Sequence, residues 1–364
     1  MKNVMRFGAL AAVAALGLAA CGSAPEAQSP EADGDTTAAK DVKACMVSDS
    51  GGFDDKSFNQ SGHEGLMEAK EKLGVEVSTA ESSSDADFNP NIENMVQGGC
   101  DLIIGVGFLM ADAMDAAALQ YPETKFALVD STFPSNPDNA KALLFNTAEA
   151  SYLAGYAAAG MSETGKVATF LGMNIPSTAI FADGYADGVA KYNEVHGADV
   201  ELLGWNKAAQ DGMATGNFED VAKGKQFTEQ LIQQGADVIM PVAGPVGQGS
   251  LAAAKENPGT MIVWVDADGV ETQPDYADYI LTSVLKQISA AVLDTVQSVA
   301  DGTFTSEPYV GTLENEGVGI APWHNFEDTV PEELKTEIAE LQADIINGDI
   351  VVVSVNDPAG TPQS

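Results

Sequence analysis

The sequence predicts an α/β protein built as two similar lobes. Three observations carry this. Short, unbroken apolar runs alternate with helical patterns. The alternation runs through five strands, passes a small-residue helix, and starts again for five more. Polar or aromatic singletons follow the carboxyl ends of most apolar runs. Unbroken apolar strands that alternate with helices mean parallel sheets covered on both faces.

In the first lobe the strands are expected at Lys43–Ser48, Val75–Ser78, Leu102–Val106, Phe126–Val129 and Ala142–Phe145. Helical spacing covers Ser57–Leu73, Asn91–Gln97 and Ala111–Gln120. A helix over Glu149–Met161 leads into the second run. Its strands are expected at Val167–Leu171, Val200–Trp205, Val238–Pro241, Met261–Val265 and Ile280–Ser283. Its helices cover Ile180–Tyr192, Gly224–Gln234 and Gln248–Glu256. An amphipathic helix over 286–301, a helix over Glu332–Ile346 and a last apolar strand, Ile350–Val353, complete the chain. No residue-level repeat links the two runs.

In open α/β sheets, ligand groups gather at the carboxyl ends of the strands. Asp49-Ser50-Gly51-Gly52, Gly107-Phe108 and Asp130 follow the first, third and fourth strands. In the second run Gly172, Trp205, Gly244, Asp266 with Asp268, and Lys286 hold the corresponding places. A binding cleft between the lobes is expected there.

The same layout places the cysteines. Cys45 lies near the start of the first strand, and Cys100 just before the third. With local strand order 2-1-3 those strands are neighbours about 4.8 Å apart, a spacing a disulfide accepts. A Cys45–Cys100 bridge is expected, remote from the cleft; two separate buried thiols are the alternative.

The N-terminus reads as a targeting segment. Lys2 and Arg6 precede an apolar stretch, Phe7–Ala20, too short for a bilayer of about 30 Å of hydrocarbon. Leu18-Ala19-Ala20-Cys21-Gly22 looks like a bacterial lipobox, with Cys21 lipidated after removal of residues 1–20. Residues 21–41 lack large apolar side chains and read as a disordered tether. The expected location is the extracytoplasmic face of a bacterial cell membrane. The formal charge of −37 argues against nucleic acid and anionic membrane surfaces as partners. It argues only weakly against an anionic ligand.

VSDSGGFDDKSFNQ (47–60), GVGF, FALVD, GYADG, PVAGPVGQG, WVDAD and TSVLK occur in this order behind the lipobox. Together they resemble the basic-membrane-protein family of lipoproteins, substrate-binding components of ABC importers. Its best-known member type is a purine nucleoside receptor. The resemblance covers about Val42–Val353 and is most specific in DSGGFDDKSFNQ and TSVLK. It implies a two-lobed periplasmic-binding-protein (type I) fold: parallel sheets flanked by helices, closing on a nucleoside. The lobes are expected as 42–147 plus 286–305 and 148–285 plus 306–355, with 356–364 as a tail.

The resemblance also implies roles. Phe58 and Phe181 are expected to sandwich the base, Trp205 or Phe108 being alternative second plates. Asp130 would face the polar edge of the base. Asp266 and Lys286 would hold the ribose, and Asp49, Asn59 and Gly244 would complete the wall. The chemistry agrees: aromatic faces stack on bases, and a carboxylate accepts both hydrogen bonds of a vicinal diol. An ionised Asp130 favours guanosine or inosine, because adenine lacks the N1–H.

Simpler roles exist for several of these residues. Phe58 could be core, Asp49 could cap the next helix, and Gly107 and Gly244 could serve only turns. Asp54 and Asp55 read as loop or cap residues. A flavin, sugar or signalling molecule in the same cleft is the alternative ligand. A calcium-dependent nucleoside hydrolase using Asp49, Asp54, Asp55 and Asp266 is the alternative class. The histidines (His63, His196, His324) are scattered with no ligand spacing, and the absence of a phosphate loop with its Lys-Ser/Thr argues against ATP hydrolysis by the chain itself. The expectation is a non-enzymatic monomer with no metal and no cofactor. It would work with separate permease and ATPase subunits.

Overall fold

A computed structural model describes residues 41–358. The expected signal segment, the Cys21 lipidation site and most of the tether and tail lie outside those residues. Strands β1 (Lys43–Ser48), β2 (Glu76–Ala80), β3 (Leu102–Val106), β4 (Lys125–Val129) and β5 (Ala140–Phe145) come first. Then follow β6 (Lys166–Leu171), β7 (Glu201–Leu203), β8 (Trp205–Asn206), β9 (Asp211–Gly212) and β10 (Val238–Val242). The last four are β11 (Met261–Asp266), β12 (Ile280–Lys286), β13 (Tyr309–Gly311) and β14 (Val318–Ile320). The helices are α1 (Phe58–Leu73), α2 (Phe88–Gln97), α3 (Ala111–Gln120), α4 (Thr147–Met161) and α5 (Pro176–His196). They continue with α6 (Val221–Gln233), α7 (Gly247–Glu256), α8 (Gly269–Thr272), α9 (Ile288–Ala300) and α10 (Glu332–Asn347).

Two six-stranded sheets result, in the orders β13-β5-β4-β3-β1-β2 and β14-β12-β11-β10-β6-β7. The orders match position for position, so the lobes share one topology. Every pairing in them is parallel except β12 with β14. The central strands β3 and β10 are buried along their whole length, as their uninterrupted apolar sequences require.

Close helix packing depends on small residues. α4 has small residues on every side and is buried almost all round. A Cβ at Gly155, Gly184 or Gly188 would come within 2.2 Å of a backbone oxygen of the partner helix, so α4 and α5 meet backbone to backbone. Gly65 does the same for α1 against Ser289 at the start of α9.

The chain crosses between the lobes three times: from β5 through α4, from β12 through α9, and between β13 and β14. These crossings converge. Asn146 N donates to Gly311 O at 2.8 Å, and Gln287 N to Gly317 O at 3.0 Å. This cluster is the mechanical link between the lobes.

The local order β2-β1-β3 is as expected, and Cys45 and Cys100 are disulfide-bonded with Cα atoms 6.0 Å apart.

Several expectations need correction. Residues 306–311 are expected in the second lobe, but β13 pairs with β5 of the first sheet. Lys286, assigned to the first lobe, ends β12 of the second sheet. The expected strand Val200–Trp205 is broken at Gly204, where φ is +88° and a Cβ would meet Thr169 O at 2.0 Å. Ile350–Val353 is not a strand. Its Val353 carbonyl accepts from Lys207 Nζ at 2.6 Å instead of from a neighbouring strand.

Candidate functional site

The strand ends of both lobes face one cavity. Asp49, Phe58, Asn59 and Asp130 line it from the first lobe, and Phe181, Gly244, Asp266 and Lys286 from the second. All eight residues singled out from the sequence therefore meet in one place. Of the alternative plates, Phe108 lines the cavity. Trp205 does not: it is buried elsewhere, donating from Nε1 to Asp183 Oδ1 at 2.9 Å.

Lys286 is the centre of the arrangement. Its Nζ pairs with Asp130 of the opposite lobe and lies 3.4 Å from Asp266 Oδ1. It also lies 4.7 Å from the Phe58 ring centroid, 5.3 Å from Phe181 and 5.7 Å from Phe145, all within cation–π range. Burial pulls this ammonium down, but the two carboxylates outweigh it and hold it above its ordinary value. Burial pushes Asp130 up, with Lys286 pulling against it. A second contact crosses the cleft. Ser57 Oγ donates to Asp266 Oδ2 at 2.8 Å and lies 3.1 Å from Val265 O.

Around Asp49 the site is acidic and buried. Burial pushes its carboxyl up to about 8; Asp55, Asp130 and Asp266 add to the rise, and the Asn59 amide opposes it. At neutral pH Asp49 is mostly a carboxylic acid, able to donate. Asn59 Nδ2 donates to Asp49 Oδ1 at 2.8 Å and leaves its own Oδ1 without a partner. Gly107 is fixed by this packing: its φ is +123°, and a Cβ there would lie 2.1 Å from Asp49 Oδ2.

Sequence reasoning missed part of the wall. Asp55 caps α1, accepting from the N–H groups of Ser57, Asn59 and Gln60 at 2.8–3.0 Å, and also faces the cavity. Asp54 is exposed and pairs with Lys56. Phe218 reaches the cavity from the loop before α6, a stretch with no periodicity to reveal it. Its one trace was Gly172, where a Cβ would lie 2.4 Å from the Phe218 ring. Ser57 gave no signal at all.

The open space in this cavity is about 50 Å³, far below the roughly 300–1,000 Å³ of a small-molecule site. Admission of a ligand of nucleoside size requires the rings to part and the Lys286 ammonium to move from between them.

Residues 42–355 match the Bmp family, described as "ABC transporter substrate-binding protein PnrA-like". The chain belongs to this family. It is the substrate-binding component of an ABC transporter, not an enzyme, and it works outside the cytoplasm with a permease and an ATPase. It is 32% identical to the ABC transporter nucleoside-binding protein BmpA of Lactococcus lactis, over 97% of this chain and 99% of that one. An uncharacterized lipoprotein of Pyrococcus abyssi is 35% identical over 78% of this chain and 70% of its own. A solute-binding protein from Aeropyrum pernix K1 superposes with TM-score 0.79 and 29% identity, covering 87% of this chain and 94% of that one. Membership of this family sets aside the hydrolase alternative. Among the described residues no group of three or more His, Cys, Asp or Glu side chains is placed to hold a metal ion.

Proposed function

We propose that this Bmp-family protein captures purine nucleosides, guanosine and inosine ahead of adenosine, and presents them to its permease. The observation that carries the reading is Lys286, held by Asp130 and Asp266 between the rings of Phe58 and Phe181. Two phenyl faces, two carboxylates and one ammonium are the handles that a base and a vicinal diol need. The name of the Lactococcus lactis relative supports the same class.

In this reading the base enters between Phe58 and Phe181 as the lobes open about the three crossings. Lys286 slides toward the ribose with Asp266. Asp130, in its ionised form, accepts the N1–H of a 6-oxopurine. Adenine sets an acceptor against that acceptor, leaving both unpaired, at about 1–3 kcal/mol. Asp49, carrying its proton, donates, and Asn59 and Gly244 close the wall. The protein acts as a monomer tethered through a lipid on Cys21; Cys21→Ala should release it from the membrane fraction.

Isothermal titration of the purified protein with guanosine, inosine, adenosine, riboflavin and glucose tests the reading. Guanosine and inosine should bind at least tenfold more tightly than adenosine, and Phe58→Ala and Asp266→Ala should each weaken them by tenfold or more. Capture of the flavin or the sugar alone, or nucleoside binding indifferent to both substitutions, overturns it.

A further inference from the structure

A groove of about 590 Å³ runs beside the crossings that link the lobes. Val310 of β13 lines it from the first lobe. Ile345, Ile346 and Val351 line it from α10 and the segment that follows. That helix is fixed to the second lobe. Its Glu337 accepts from the Tyr156 hydroxyl of α4 at 2.8 Å and lies 3.1 Å from His196 Nε2 of α5. The groove therefore has a wall on each lobe.

Its apolar side is uncovered. Ile346, Val351, Val353 and Val355 are 38–75% exposed, four of the seven large apolar side chains that are exposed among the described residues. Single exposed apolar groups are ordinary; such a concentration within one short stretch marks an interaction surface. The charged lining is wholly acidic. Glu149, Glu307 and Glu314 line the groove, and no Lys, Arg or His does. Asn146 Nδ2 and Leu313 N donate to the Glu149 carboxyl at 2.9 and 2.7 Å. Burial still pushes it above its ordinary value, and Asp357 and Glu314 add to the rise. A cation in the groove would offset that cost.

We propose that this groove docks a basic, amphipathic segment of a partner protein, with aliphatic side chains along one face and Lys or Arg along the other. The aliphatic groups cover Ile346 and Val351, the cations meet the three glutamates, and the segment touches both lobes at once. Charge complementarity selects this occupant. Residues 22–40 are net acidic and lack large apolar side chains, and residues 359–364 have no charged and no large apolar side chain. Neither flank of the expected mature chain fits. A second copy brings another formal charge of −37, and the acidic rim repels anionic lipid.

The test uses a short fluorescein-labelled peptide of alternating lysine and valine, which fall on opposite faces of an extended chain. A lysine–serine peptide of the same length is the charge control. Anisotropy is read at about 150 mM salt, where exposed charges are screened beyond about 8 Å. The purified protein should bind the valine peptide about tenfold more tightly than the serine peptide. The Ile346→Ser, Val351→Ser double variant, changed only at exposed side chains, should remove that preference. The Glu307→Gln, Glu314→Gln double variant should weaken the valine peptide about fivefold. Asp85→Asn with Glu93→Gln, exposed acids outside the groove, should leave it within about twofold. Equal binding of the two peptides, or equal loss from the two acid pairs, means diffuse charge attraction and overturns the inference. Displacement of the bound peptide by phosphatidylcholine vesicles assigns the groove to lipid instead. A dimer seen by light scattering and lost in the Ile346→Ser, Val351→Ser variant assigns it to a second copy. Either result overturns the inference as well.

Discussion

Asp130 and Asp266 occupy corresponding positions in the two lobes and reach the same ammonium. One follows β4 and the other ends β11, strands that hold the same place in their sheets. Both have left-handed backbones, with φ of +64° and +70°. Non-glycine residues rarely adopt that conformation, and aspartate tolerates it better than most because its short polar side chain can bond locally. Each residue in such a region costs about 1–3 kcal/mol, a cost that clusters at functional sites. The shared topology thus aims two carboxylates at Lys286, one from each side of the cleft.

Removing the ammonium should expose that arrangement. Lys286→Met leaves two buried carboxylates without their counter-charge, and breaking a buried pair from one side costs about 3–5 kcal/mol. Urea denaturation should show a loss of that order, with nucleoside capture abolished. Adding Asp130→Asn should recover part of the stability and none of the binding. A single variant as stable as wild type would disprove the pairing.

Ser57 is expected to govern release. It is absent from the cavity wall, yet it bonds Asp266 across the cleft. A hydrogen bond to a charged group contributes about 1.5–3 kcal/mol. Ser57→Ala should raise the ligand off-rate about tenfold in stopped-flow measurements. A change confined to the on-rate would rule out a closing contact.

The burial of Asp49 predicts the direction of a pH effect. Its carboxyl moves from 3.8 up to about 8 on folding, so between those values the native state binds more protons than the unfolded one. Stability therefore falls as pH rises from about 4 to about 8 and levels off above that, with a slope of at most about 1.4 kcal/mol per pH unit from this group. Burial raises Asp55 and Asp130 too, so they act in the same direction. Asp49→Asn cannot ionise. Its stability relative to wild type should rise steadily between pH 5 and 8 in denaturation curves; a constant difference would refute the shift.

The disulfide should matter to stability and not to capture. Cys45–Cys100 closes a loop of 55 residues, for which chain entropy gives about 4 kcal/mol. The Cys45→Ala, Cys100→Ala double variant should lose about that much in guanidinium denaturation. Its nucleoside affinity should stay within twofold of wild type, since neither cysteine lines the cavity. A large affinity loss in the folded double variant would tie the bridge to the cleft.

The amino-acid sequence by itself determined the β/α alternation and the strand ends that carry Asp49, Asp130, Gly244, Asp266 and Lys286. These are local facts: apolar period sets element type, and in a parallel sheet the ligand side is the carboxyl side of every strand. Tertiary structure alone decided that β13 returns to the first sheet and that Phe218 reaches the cavity. It also decided that Ser57 spans the cleft, and that Lys286 stands between the two rings. Each of those depends on which distant segments meet, and a short run such as Tyr309–Gly311 is equally content on either sheet until its neighbours are in place.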